Sequence, residues 1–424
     1  RRSLEFFIKR YNAQGFLTTG YTTMGTGWHL WTLGEYYALT HDPDWMKRNA
    51  PEIDRVCRWV ISQRAMTMKT DSLGNRLPEY GLMPPGLAAD WDVFAYYAYL
   101  NGYYAAGLRE AGAALADAGC ADAAVIRENG IELSREILRA FHWTQSLAPV
   151  FKLRDGTWVP EYPTHVYCPA PVGDFYVGED VGRSWCYDVE IGAHHLIPMG
   201  VMDPSSKDAD WMLDHMEDVQ FLKAGWNYYP EDEVQKDWFN MGGFARVQPY
   251  YARVAEAYAL RDDVKPFIRS YFNALVTLLN AEDLSLWEHF FNGAFNKTHE
   301  TGGFLHQTRT MLLTERGDQL WLAPFVTGNW LRDGMTVGVG NAPSRFGMVS
   351  YKITSHVNEG YIEATIDPPT RQSPRQIVLR LRHPDGKRIK SVTVNGVAHA
   401  DFDPARECIT LDPGTKEIVV RAEY

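Results

Sequence analysis

This chain of 424 residues has no run of Lys or Arg, no long apolar stretch and few cysteines. Each absence removes a class of function. Phosphate backbones are held by concentrated positive charge. With a net charge of −11 and no basic block, nucleic acid is not an expected partner. No apolar run approaches the roughly 18 residues that suggest a membrane helix, so no membrane partner is expected either. The five cysteines, Cys57, Cys120, Cys168, Cys186 and Cys408, lack zinc-like or redox-like spacing and read as small buried hydrophobes. "AHHL" has no second histidine at metal-binding spacing, no G-x-S-x-G elbow occurs, and no Gly-rich loop opens a helix. Neither a metal nor a cofactor is expected. The chain opens on "RRSLEFFIKRYN" with no initiator Met and no basic-then-apolar leader, the mark of a processed product or a fragment.

Aromatic residues are abundant: 13% of the chain, including 14 Trp and 23 Tyr. Many lie in polar segments such as "AGWNYYPEDE" and "QKDWFNMGG". Aromatics on helix faces serve packing, whereas those gathered in polar loops more often line a binding surface. Flat sugar faces stack on such rings, so a carbohydrate is the first substrate class to consider.

From about Ser3 to Asn280 the pattern is one of long amphipathic helices in pairs. Helices are predicted near 23–40, 43–63, 90–118, 121–141, 181–199, 207–222, 243–261 and 264–279. "HDPDW" offers Asp42 as a cap with Pro43 at the first helical position, "MDPSSKDADW" repeats the device, and "LRDDVKPF" is a very short turn. Short connections make neighbouring helices antiparallel. After about Thr308 the period becomes two, broken by Asp-Gly, Asn-Gly and Pro-Gly turns, as in an antiparallel β-sandwich. The expected domains are a helical-hairpin domain over 1–303 and a β-sandwich over 304–424.

"LSLWEHFFNG", preceded by "NMGGFARVQPYYARVAEAYALRDDVKPFIRSYFNALVTLLN", resembles the last hairpin of the six-hairpin glycoside hydrolases, bacterial α-L-rhamnosidases in particular. "GWHLWTLGEYYALTHDPDWMKRNAPEIDRVCRWVISQR" and "LMPPGLAADWDVFAYYAYLNGYYAAGLREAGAALADAG" are similar to middle hairpins of those enzymes. The resemblance implies a mainly α fold, an (α/α)6 toroid, followed by the β-sandwich. About four hairpins are visible here, so the start of the ring is missing or irregular. In the family a Trp-Glu pair within T-T-x-W-E-x-W supplies the general base; here no threonine directly precedes Trp287-Glu288, which follow Ser285-Leu286. The family's early Asp-rich acid motif is not found. The chain therefore looks like a relative with its own substrate. The implied activity is hydrolysis of a terminal sugar from an oligosaccharide or polysaccharide, by inversion. A periplasmic or secreted bacterial location is favoured.

Glycoside hydrolysis needs one carboxyl group to protonate the leaving oxygen and another to activate water. Glu288, framed by Trp287, His289 and two phenylalanines, is the first candidate base, against the alternative of an exposed helix-end Glu. Glu300, in "NKTHETGG", is the next, against a capping role beside Thr298 and Thr301. For the acid, Glu179 and Asp180 in "VGEDVGRSWCYDVE" are favoured, although a helix start attracts acids without any catalytic need. Asp92 in "LAADWDVF" is a further candidate under the same reservation, and Asp237 sits beside Trp238 in an acidic loop. Trp28, Trp91, Trp185, Trp238 and Trp287 are candidate stacking platforms. His29, His194, His289 and His299 are candidate partners for sugar hydroxyls. Arg183, Arg246 and Lys297 lie near these loops; convergence of two of them would imply an acidic sugar, a uronate or sulfate. Two other readings stay open: a polysaccharide lyase acting on a uronate polymer with Tyr or His as base, and a carbohydrate-binding relative that has lost the acid.

Overall fold

Asp42 and Pro43 start a long helix as the sequence implies. The Asp42 carboxylate accepts the Trp45 N–H at 2.9 Å, and Pro43, which has no N–H to satisfy, opens the helix. The computed structural model describes residues 1–19, 22–88, 93–170, 172, 188–220, 248–288 and 295–424. They divide into two compact units. One comprises Arg1–Tyr37, His41–Arg261 and Phe272–Thr301; the other comprises Ala38–Thr40, Asp262–Tyr271 and Gly302–Tyr424.

The helices are α1 (Arg2–Ile8), α2 (Thr22–Thr40), α3 (Pro43–Ala65), α4 (Ala98–Asp117), α5 (Ala123–Gln145), α6 (Lys207–His215), α7 (Val254–Arg261), α8 (Val264–Leu278) and α9 (Thr298–Leu312). In the first unit α4 is the central element. Its sequence is rich in Ala, Gly, Leu and Tyr, and it is buried on nearly every side. Helices α3 and α5 instead bury one stripe, from Trp45 to Val60 in α3 and from Ile126 to Phe141 in α5. Glycines let α4 and α5 approach closely: a Cβ on Gly130 would stand 2.8 Å from the Ala105 carbonyl oxygen and 2.8 Å from the Arg109 nitrogen. A short hairpin, β1 (Val150–Lys152) with β2 (Trp158–Pro160), follows α5.

Several helical expectations are corrected. The helix predicted from Asp90 begins at Ala98, because Ala95 and Tyr97 are extended and bridge to Gly86 and His165. Of the helix predicted over 181–199, the part within the described residues holds a 3-10 turn, Ala193–Leu196, in which His194 and His195 are fully buried and bond carbonyls. Helix α6 is capped by Ser206, not Asp203, whose carboxylate instead accepts from Ser205 in a tight turn. It passes at Met216 into a π-helical turn, Met216–Gln220. Of the helix predicted over 243–261, the part within the described residues becomes helical only at Val254, where α7 starts: Pro249 pushes its predecessor out of the helical region, and Gln248 and Arg253 both have positive φ. "THETGGFLHQTRTML", read as a connection, is helix α9.

The second unit holds β3 (Leu313–Arg316), β4 (Gln319–Leu322), β5 (Thr336–Ser344), β6 (Gly347–His356), β7 (Tyr361–Asp367), β8 (Gln376–Arg380), β9 (Ser391–Val394), β10 (Val397–His399), β11 (Phe402–Asp403), β12 (Cys408–Leu411) and β13 (Ile418–Glu423). They form a six-stranded sheet, β10-β9-β13-β7-β6-β5, and a five-stranded sheet, β11-β12-β8-β4-β3. Alternation buries Val349, Tyr351 and Ile353 of one sheet against Leu320, Ile377 and Leu379 of the other in a single apolar core, as in a sandwich. The Asn395-Gly396 turn between β9 and β10 has positive φ at both residues, the conformation a two-residue hairpin favours. The pairing is not wholly antiparallel: β4 and β8 run parallel, because β5, β6 and β7 lie in the other sheet and intervene along the chain.

Candidate functional site

The segment around Glu288 is fixed by a tight return of the chain after α8. Leu284 takes a left-handed conformation at φ 61°, Leu279 bridges Leu286, and the Trp287 N–H bonds the Leu278 carbonyl at 2.8 Å. Two further segments are sewn to it. The Gln248 N–H bonds the Glu288 carbonyl at 3.0 Å, and the Lys297 N–H bonds the Leu286 carbonyl at 3.1 Å. Residue 248 lies 40 positions from 288 in the chain, yet 248, 288 and 297 are adjacent in space.

Their side chains converge on one carboxylate oxygen. Glu288 Oε1 lies 2.7 Å from Lys297 Nζ and accepts from Gln248 Nε2 at 3.3 Å. Glu288 is partly open, with 19% of its side chain exposed, and Lys297 with 30%. Trp287 is half-buried, with Phe295 edge-on at 6.0 Å.

Glu300, in the first turn of α9, differs in every respect. Its side chain has no exposure, and its two oxygens accept the N–H groups of Tyr250 and Tyr251, each at 3.0 Å. Burial drives its pKa up, the two N–H bonds pull it back, and the Glu288 charge adds an upward push, leaving it raised from 4.5 to about 8. The folded state thus holds this proton to higher pH than the unfolded chain does. Stability is therefore full below pH 4.5 and is lost as pH rises towards 8. Between those limits the wild type is expected to lose roughly 4 kcal/mol relative to Glu300→Gln, whose amide does not titrate. Urea midpoints of the two proteins across this pH range measure it; parallel pH curves would refute it.

Aromatic residues back this region. The Tyr251 ring meets His299 edge-on at 5.4 Å and stacks with Trp28 at 5.4 Å, and Trp28 stacks with Tyr103 at 4.5 Å. The Tyr99 and Tyr251 hydroxyls are hydrogen-bonded to each other. Arg253, paired with Glu256, donates to the Tyr103 hydroxyl at 2.8 Å. Burial holds the Tyr99 and Tyr251 phenols well above the usual range, and Tyr103 rises to about 12 despite the pull of Arg253.

Of the sequence candidates, the fold brings together Glu288, Glu300, Trp287, His299, Lys297 and Trp28. His299 is 31% exposed, with Nε2 3.9 Å from Glu300. His29 and His194 belong to the core. His29 bonds Tyr11 and the Leu4 carbonyl, His194 bonds the Ala252 carbonyl, and burial lowers both rings to about 4. Asp92, Trp91, Glu179, Asp180, Arg183, Trp185, Asp237, Trp238, Arg246 and His289 lie outside the described residues. Gln248 and Tyr251 were not foreseen. The signal for them was Pro249, which bars a helix through "VQPYY" and marks a turn.

No protein-family model matches the chain, and no curated protein matches it. Among solved structures it is similar to one titled "Glycoside hydrolase", at a TM-score of 0.36 and 11% identity, over 95% of this chain and 72% of that one.

Proposed function

We propose that this chain is a carbohydrate-active enzyme of the glycoside-hydrolase kind, with Glu288 as the general base. The observation that carries this reading is the setting of Glu288: a partly open carboxylate, next to Trp287 in the chain and aligned by Lys297 and Gln248. A base of this sort must reach a water molecule beside the sugar, which needs partial exposure and a fixed direction. The Trp-Glu pair also matches the family motif noted in the sequence. The proton donor is assigned to Glu179, Asp180 or Asp92; inversion as a reaction class calls for two carboxyl groups roughly 6.5–9.5 Å apart. The helical hairpins are assigned to a toroid around this site, the substrate to a terminal sugar of an oligosaccharide or polysaccharide, and the location to the periplasm or cell exterior.

The lyase reading needs a phenolate or imidazole ready to take a proton. Burial makes Tyr99, Tyr103 and Tyr251 poor bases, which weighs against these three in that role. The test is the product formed from a panel of neutral and uronate-containing glycans. Hydrolysis gives new reducing ends with no ultraviolet absorbance; an unsaturated, ultraviolet-absorbing chain end would establish the lyase instead.

A further inference from the structure

Glu300 invites assignment as the acid partner of Glu288, because burial and the Glu288 charge both push its pKa up. Its geometry argues otherwise. A proton donor must touch the leaving oxygen, yet this side chain is fully buried and both its oxygens are turned to peptide N–H groups. Those N–H groups belong to the turn that delivers Gln248 to Glu288 and holds the Tyr251 ring against His299 and Trp28. The turn contains Gln248 at φ 48° and Arg253 at φ 58°, conformations that non-glycine residues adopt only when surrounding bonds hold them. Glu300 supplies two such bonds. On its other side, α9 is tied to the same site, since the Thr301 N–H bonds the Lys297 carbonyl at 3.1 Å and Lys297 reaches Glu288.

We infer that Glu300 is a positioning residue: a buried carboxyl that clamps the turn at residues 248–251 to the start of α9, so that Gln248 and Lys297 meet on Glu288 Oε1. It transfers no proton. This rests on the reading of Glu288 as base, and it deepens that reading by naming what aims the base.

Glu300→Gln keeps the size of the side chain but sets an amide N–H against one of the two peptide N–H groups. The turn must shift, and Gln248 withdraws. Displacing an aligned catalytic group by about 1 Å costs up to ~100-fold, so kcat is expected to fall about 10- to 100-fold with KM little changed. The fall should be equal for alkyl glycosides and for dinitrophenyl glycosides, whose leaving group needs no protonation. If Glu300 were the acid, the dinitrophenyl substrates would be cleaved at near wild-type rate while the alkyl glycosides lost turnover. Crystal structures of the wild type and Glu300→Gln decide the matter without reference to turnover: Gln248 Nε2 is expected beyond hydrogen-bond reach of Glu288 in the variant, and its retention there would overturn the proposal. Should Glu300→Gln fail to fold, Gln248→Leu removes only the link. It should reproduce the loss of kcat with an unchanged melting temperature, and wild-type kcat in that variant would overturn the proposal. Failure of the underlying reading looks different: it appears as undiminished turnover in Glu288→Gln.

Discussion

Glu288→Gln is expected to lower kcat by about 10²–10⁴-fold, the usual worth of a positioned acid–base group, on any glycoside the wild type cleaves. The amide fills the same space and can still accept from Gln248, so KM should change little. It cannot take a proton from water. Stability should hardly move: the ion pair with Lys297 is partly exposed on both sides, and such pairs are worth roughly 0–1 kcal/mol. A large kinetic effect with a small effect on melting is the pattern that separates a chemical role from a structural one. Glu288→Ala adds a second arm. Removing the carboxylate opens room for a small anion, so azide should restore turnover and give the glycosyl azide of inverted configuration. Turnover by Glu288→Gln within twofold of the wild type would move the base elsewhere.

How far the sequence could foretell this site depends on the distance over which each interaction acts. The start of α3 was legible because a cap is a local device: Asp42 bonds an N–H three residues on. Glu288 was legible as a candidate because its aromatic frame is contiguous, although Lys297 at 2.7 Å could only be placed near the candidate loops. The bonds of Glu300 were not legible. They reach peptide N–H groups some fifty residues back, and backbone donors leave no mark in a sequence. Helix α9 was missed for a related reason. Gly302, Gly303 and the threonines have weak helix propensity, and the segment is helical through its tertiary setting, including the bonds Glu300 makes. In the β-sandwich, period-two alternation and the Asn395-Gly396 turn were sufficient for the strands. The parallel pairing of β4 with β8 was not foreseeable, because pairing between non-neighbouring strands is decided by the core they share. Residues whose partners lie within one turn were thus readable, whereas those defined by distant backbone were not.

The largest loss of stability is expected in the second unit, from Asp262→Ala. Asp262 lies at φ 63° just before α8, and three guanidinium groups from the five-stranded sheet region converge on it: Arg316 at 3.0 Å, Arg380 at 2.8 Å and Arg406 at 2.8 Å. Arg316 and Arg380 also lie over the Trp321 ring, at 4.0 and 5.5 Å from its centre. Arg380 is the decisive member, since only 2% of its side chain is exposed. Removing the carboxylate leaves that buried cation beside two others with no counter-charge, and breaking a buried pair in this way costs about 3–5 kcal/mol. Arg406, 54% exposed, can turn to solvent, so Arg406→Ala should cost less than about 1 kcal/mol. The same clamp predicts an acid limb. Burial alone would raise the Asp262 pKa, but the bonds from Arg380 and Arg406, with the charges of Arg380 and Arg316, outweigh it and hold the carboxyl at about 2. A depressed pKa contributes stability that is complete above the ordinary value of 3.8 and is lost as pH falls towards 2. The amount is about 2 kcal/mol, and it should vanish in Asp262→Asn, which is already neutral. Hydrogen exchange of β3, β4 and β8 in the full chain reads this locally. Accelerated exchange in those strands is expected for Asp262→Ala, with wild-type rates in Arg406→Ala. Equal rates in all three proteins would mean that the apolar core of the sandwich holds these strands without the ionic clamp.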